Sequence, residues 1–136
     1  MKNEELAQLM KDSANDAVTI ANEEFAIALD YSKGSIYLVD EILLSYLKKY
    51  QDIALDDKAV FTICNIYGAY VGETFKKLAG GEWYYDESKA DAPALYLIIG
   101  EHSFAFAGIC YQRLVNNGDM TVLEYFEQAL SQHPSH

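Results

Sequence analysis

Asp40 and Glu73 are the residues of this chain whose type and spacing come nearest to supporting chemistry. Each falls on a predicted helix, and antiparallel packing of those helices would bring their carboxylates together as a hydrolytic acid pair. The plainer alternative is two solvated helix acids, with Glu73 pairing to Lys76 or Lys77 on its own helix. His102 follows Glu101 at a predicted turn and has the character of a general base, although a histidine in such a turn is more often simply hydrated. An enzyme made from these parts would use Asp40, Glu73 and either His102 or a tyrosine, in a pocket beside the helix that carries Gly68 and Gly72.

Other chemistries lack their minimal parts. His133 and His136 share the C-terminal tail with no third ligand at metal-site spacing, so no metal is expected. Cys64 and Cys110 sit in apolar helical patterns and read as small buried hydrophobes of a reducing compartment, with a disulfide between them the lesser alternative. No glycine precedes a helix at phosphate-loop spacing, and no serine occupies a Gly-x-Ser-x-Gly elbow. The expectation is a protein that is not an enzyme and needs no cofactor.

Binding is better represented. The chain has 11 tyrosines, and Tyr84, Tyr85 and Tyr96 cluster with Trp83 on predicted strands. Tyrosine and tryptophan favour interfaces because each offers a large rigid surface with a polar tip. Strand alternation turns either Trp83 and Tyr85 or Tyr84 outward, and the expectation is Trp83 and Tyr85 in the core with Tyr84 outside. Glu82, Asp86, Glu87, Asp91 and Glu101 surround Tyr84 in sequence, and these six residues are the candidate partner-binding set.

Charge indicates the kind of partner. Asp and Glu number 21 against 10 Lys and Arg, a formal net charge of -11. Such a surface repels phosphate backbones and anionic lipid, which disfavours nucleic acid and membranes and permits a basic protein. The ends are the negative parts: residues 1 to 30 carry seven acids and two lysines, and residues 91 to 136 carry five acids and only Arg113. Acidic surfaces also serve solubility alone. The N-terminal residues lack the basic and apolar regions of a signal peptide, and no stretch is long and apolar enough to span a bilayer, so a cytoplasmic setting is expected.

The elements that must position these residues follow from periodicity. Leu6, Met10, Ala14, Ala17, Val18, Ala21, Phe25 and Leu29 make one stripe of a first helix from about Glu4 to Leu29, shallow enough for close packing. A break at 29 to 35 leads to a second helix, capped by Ser32 or Ser35 and ending near Lys49. Its Ile36, Val39, Leu43, Tyr46, Leu47 and Tyr50 face inward, with Asp40, Glu41, Lys48 and Lys49 towards water. After the link at 51 to 55, Asp56 or Asp57 opens a third helix to about Leu78, apolar around most of its circumference and therefore central. Gly68 and Gly72 share a face and imply close backbone approach by another element.

Gly80-Gly81 caps that helix, and three antiparallel strands follow at Glu82 to Asp86, Ala94 to Ile99 and His102 to Phe106. The loop Glu87 to Pro93 joins the first two, and Gly100-Glu101 suits a type II′ turn between the others. Two short helices complete the chain. One runs from about Ala107 to Val115 and stops at Asn116-Asn117-Gly118; the other opens at Asp119, or at Thr121 with Glu124 in a capping box, and ends near Leu130. The reading is a single α+β domain over 1 to 136, with residues 131 to 136 frayed.

Leu29-Asp30-Tyr31-Ser32, Ser35 to Asp40, Gly68-Ala69-Tyr70-Val71-Gly72-Glu73 and Gly80-Gly81-Glu82-Trp83 resemble segments of small uncharacterised bacterial cytosolic proteins with a helical first half and a small sheet. The resemblance covers residues 29 to 85 and carries over no catalytic residue. Some proteins of this size and acidity are toxin-immunity proteins, which implies an immunity or inhibitor protein that neutralises a basic toxin domain. A small carboxylate-dependent enzyme and an oligomeric assembly subunit are the alternatives.

Overall fold

The computed structural model describes residues 3–49, 57–86, 94–115 and 119–132. Among these, five α-helices accompany a three-stranded antiparallel sheet, an α+β arrangement. Helix α1 spans Asn3–Phe25, a 3-10 turn covers Lys33–Ser35, and α2 and α3 span Ile36–Lys49 and Asp57–Ala79. Strands β1 (Glu82–Asp86), β2 (Ala94–Ile99) and β3 (His102–Phe104) follow, then α4 (Phe106–Val115) and α5 (Val122–Gln132). None of the described helices is long and apolar enough to cross a membrane.

Helix α3 is the centre of the fold. Every residue from Tyr67 to Phe75 is buried, because apolar residues spread around the helix meet a neighbour on each side. Helix α1 packs on it through Ala14, Ala17 and Ala21, each fully buried, whose small side chains permit close approach. The close backbone approach expected at the two shared-face glycines is met at Gly68, whereas Gly72 faces a side chain. A Cβ on Gly68 would lie 2.6 Å from the Ala107 Cα at the start of α4, and one on Gly72 would lie 2.1 Å from the Trp83 ring. Phe75 then joins Phe104, Phe106 and Phe126 at centroid separations of 5.3, 5.5 and 5.9 Å, tying β3, α4 and α5 to the same core.

Three boundaries differ from the sequence reading, and one of them is α5, which continues through Ser131 and Gln132, residues read as a frayed tail. Helix α1 stops at Phe25 although the apolar stripe continues to Leu29. Ala26 takes a left-handed backbone (φ 55), and the Ile27 N–H donates back to the Ala21 carbonyl at 3.0 Å. Strand β3 ends at Phe104, and α4 starts at Phe106. Other expectations hold: the hairpin has Gly100 at φ 59 between Ile99 and its partner His102, and α3 ends at Gly80 and Gly81 with φ 89 and 113. The loop at 87 to 93, the link at 51 to 55, Asp56, the stop at 116 to 118 and the tail from 133 fall outside the described residues.

Candidate functional site

The sheet register assembles a two-sided surface. Glu82, Tyr84 and Asp86 alternate with Trp83 and Tyr85 along β1, and antiparallel pairing sets Glu82 opposite Ile98, Tyr84 opposite Tyr96 and Asp86 opposite Ala94. On the inner side Trp83 and Leu97 are buried and Tyr85 packs against the core. On the outer side Tyr84 is 50% exposed, and Tyr96 and Ile98 are only partly covered. Ser103 on β3, paired with Ile98, continues this face.

The carboxylates frame that strip. Glu82 lies at the end nearest the Gly100-Glu101 turn, with Glu101 exposed in the turn itself, while Asp86 stands at the opposite end of β1. Among the predicted set, Glu82, Tyr84, Asp86 and Glu101 are thus brought to one sheet; Glu87 and Asp91 lie outside the described residues. Sequence reasoning missed Ile98, whose part in the strip appears only once the cross-strand register with Glu82 is known. The three strands contain no lysine or arginine. A groove of about 480 Å³ opens at the Glu82 end, lined by Tyr84, Ile98, Ile99, the Gly81 and Gly100 backbones and Asn3 of α1, with Trp83 also contributing.

The acid pair is used differently. Asp40, expected to face water, has a side chain only 14% exposed, because it reaches across to the N-terminus of α5. Its Oδ1 accepts the Val122 N–H at 2.8 Å and its Oδ2 accepts the Leu123 N–H at 3.1 Å, while the Arg113 Nε lies 3.5 Å from Oδ1. The Thr121 hydroxyl accepts the Glu124 N–H, and the Glu124 carboxylate accepts the Thr121 N–H, completing the capping box. Asp40 is a helix cap supplied from another helix.

Glu73 is also buried rather than solvated, at 9% exposure. Its Oε2 accepts the Trp83 indole N–H at 2.8 Å and lies 3.8 Å from the Lys76 Nζ. That bond holds the indole against Gly72, so the flank of α3 expected to border a pocket is filled by Trp83, as the Gly68 flank is by Ala107. Asp40 and Glu73 therefore serve separate structural partners. His102 pairs with Ile99 at the hairpin, and its ring stacks 6.2 Å from Phe104. Among the described residues no three His, Cys, Asp or Glu side chains form a metal-ligand group.

One polar cluster escaped the sequence reading entirely. Tyr31 adopts a left-handed backbone (φ 62), uncommon for a bulky side chain, and its N–H donates to the Tyr70 hydroxyl at 2.8 Å. The Ser35 hydroxyl donates to the Ser32 carbonyl at 2.7 Å, so in the 2.5 Å contact between Ser35 and Tyr70 the tyrosine is the donor. This directed chain fixes the link between α1 and α2, and Lys77 lies 4.5 Å over the Tyr31 ring. Burial raises the pKa of the Tyr70 and Tyr31 phenols, so both stay protonated donors. The nearest signal was Tyr31 itself, placed among the turn residues.

No family model matches this chain, and no curated protein or solved structure matches it either. The site's geometry carries the functional argument.

Proposed function

We propose that this chain is a binding protein of the immunity or inhibitor kind, which docks a basic toxin domain on the outward face of its sheet and neutralises it. One observation carries this reading: Tyr84, Tyr96 and Ile98 form a partly open aromatic and aliphatic strip with Glu82, Asp86 and Glu101 around it and no lysine or arginine in the strands. A rigid apolar centre inside a charged rim is the usual anatomy of a protein interface. The rim and the formal charge of -11 would speed encounter with a cationic partner, and the half-exposed Tyr84 would anchor it. A cytoplasmic, bacterial setting belongs to the same proposal, supported by the free, buried Cys64 and Cys110.

The test is affinity capture from the source bacterium at low and then moderate salt, with the tagged native chain and Tyr84→Ala in parallel. The expected result is one basic protein retained at moderate salt, bound about thirtyfold more weakly by Tyr84→Ala, and non-toxic when co-expressed with the native chain. Equal capture by both chains, or recovery of no basic protein, would refute the proposal.

A further inference from the structure

We infer that the groove at the Glu82 end of the sheet takes a single arginine side chain of the partner. This rests on the proposed docking face and names what that face recognises. Ile98 and Ile99 supply apolar surface, Tyr84 is half exposed, and Glu82 is the one charged side chain among the described lining residues. Glu82 and Tyr84 are two residues apart on the same side of β1, roughly 7 Å along the strand. That interval suits a guanidinium that pairs with a carboxylate on one side and stacks on a phenol ring on the other.

The groove's other boundaries agree. Gly81 and Gly100 both have positive φ, at 113 and 59, so these positions favour glycine and expose backbone to the groove where a side chain would otherwise stand. A Cβ at Gly81 would lie 3.2 Å from the Ile98 carbonyl oxygen and 3.3 Å from Leu97 Cγ, so a side chain there would crowd β2 beside the groove. Asn3 begins α1, whose N-terminus carries a partial positive charge, and the exposed Glu4 and Glu5 of its first turn offset it. At about 480 Å³ the opening admits an arginine with its flanking backbone. Arginine is favoured over lysine because only the planar guanidinium can stack and fork at once.

The experiment titrates the full-length, isotope-labelled chain at low salt with the capped tripeptide acetyl-Gly-Arg-Gly-amide, following backbone amide shifts by NMR. The comparators are the same peptide with citrulline, a neutral near-isostere, and with lysine. Saturable shifts centred on Gly81, Glu82, Tyr84, Ile98 and Gly100 are expected, about fivefold weaker with citrulline or in Glu82→Gln, and weaker with lysine or in Tyr84→Leu. Both substitutions replace exposed side chains, so the unchanged spectrum of the rest of the chain reports that the fold is intact.

Equal binding of the citrulline peptide, shifts scattered over the acids of α1, or no shifts up to tens of millimolar peptide would each overturn the inference. If that happens while partner capture still depends on Tyr84, the docking face stands and only its arginine groove is wrong. If the arginine peptide binds as expected while capture is indifferent to Tyr84, the groove stands and the docking proposal fails.

Discussion

Replacing Asp40 should weaken the attachment of α5 to the rest of the fold. The carboxylate accepts the first two N–H groups of α5, at 2.8 and 3.1 Å, and Val122, which supplies one of them, is fully buried. In Asp40→Ala both donors, which are part-buried, lose this acceptor, and each N–H left unsatisfied costs about 1–3 kcal/mol. The lost interaction with the helix dipole adds about 0.3–1 kcal/mol. The Thr121 and Glu124 capping box remains and holds the next N–H, which limits the total to about 3–4 kcal/mol.

Asp40→Asn keeps one acceptor oxygen and should cost about half as much. Urea unfolding monitored by circular dichroism measures both. With a slope of about 2 kcal/mol per molar, the midpoint should fall by about 1.5–2 M for alanine and about 0.7–1 M for asparagine. Amide exchange should accelerate most in α5. A midpoint shift under about 0.3 M for Asp40→Ala, or exchange in α5 no faster than in the native chain, would refute the trans-capping argument.

Two further outcomes follow from the packing and the buried thiols. Gly68→Ala should destabilise the chain by about 2 kcal/mol despite the better helix propensity of alanine, since the new Cβ meets Ala107 backbone at 2.6 and 2.7 Å; a stabilising change in thermal unfolding would contradict that contact. Burial raises the Cys64 thiol from 9.0 to about 12 and holds the Cys110 thiol well above its ordinary value. Below pH 9.0 the Cys64 thiol is protonated in both folded and unfolded chains, so its contribution is constant. Between 9.0 and about 12 only the unfolded chain loses this proton, so stability falls as pH rises. Urea midpoints at about pH 8 and about pH 10 should show a smaller fall for Cys64→Ala than for the native chain, and equal falls would count against the raised value.

The parts of this fold legible in the sequence are those governed by local geometry. The apolar circumference of α3 marked it as central, paired glycines marked its end, and alternation put Trp83 inside and Tyr84 outside. Thr121 and Glu124 announced the capping box because its partners lie three residues apart. The candidate site was legible one strand at a time: Glu82, Tyr84 and Asp86 could be assigned to one side of β1, but their neighbours Tyr96 and Ile98 depended on register.

The sequence by itself determined the order of the elements, which follows from backbone periods and turn residues, and the acidity of the surface, which is a sum over side chains. Tertiary structure decided what the lone polar residues do. Asp40 caps a helix 82 residues further along, and Glu73 holds an indole ten residues away on a strand. The apolar stripe of α1 extended past Phe25, but its continuation became a link with left-handed residues at Ala26 and Tyr31, and the Tyr31 N–H is fastened to the hydroxyl of Tyr70, 39 residues distant. A buried hydrogen bond rewards whichever donor and acceptor the packed core brings together, and that meeting is a property of three-dimensional proximity with no fixed spacing along the chain.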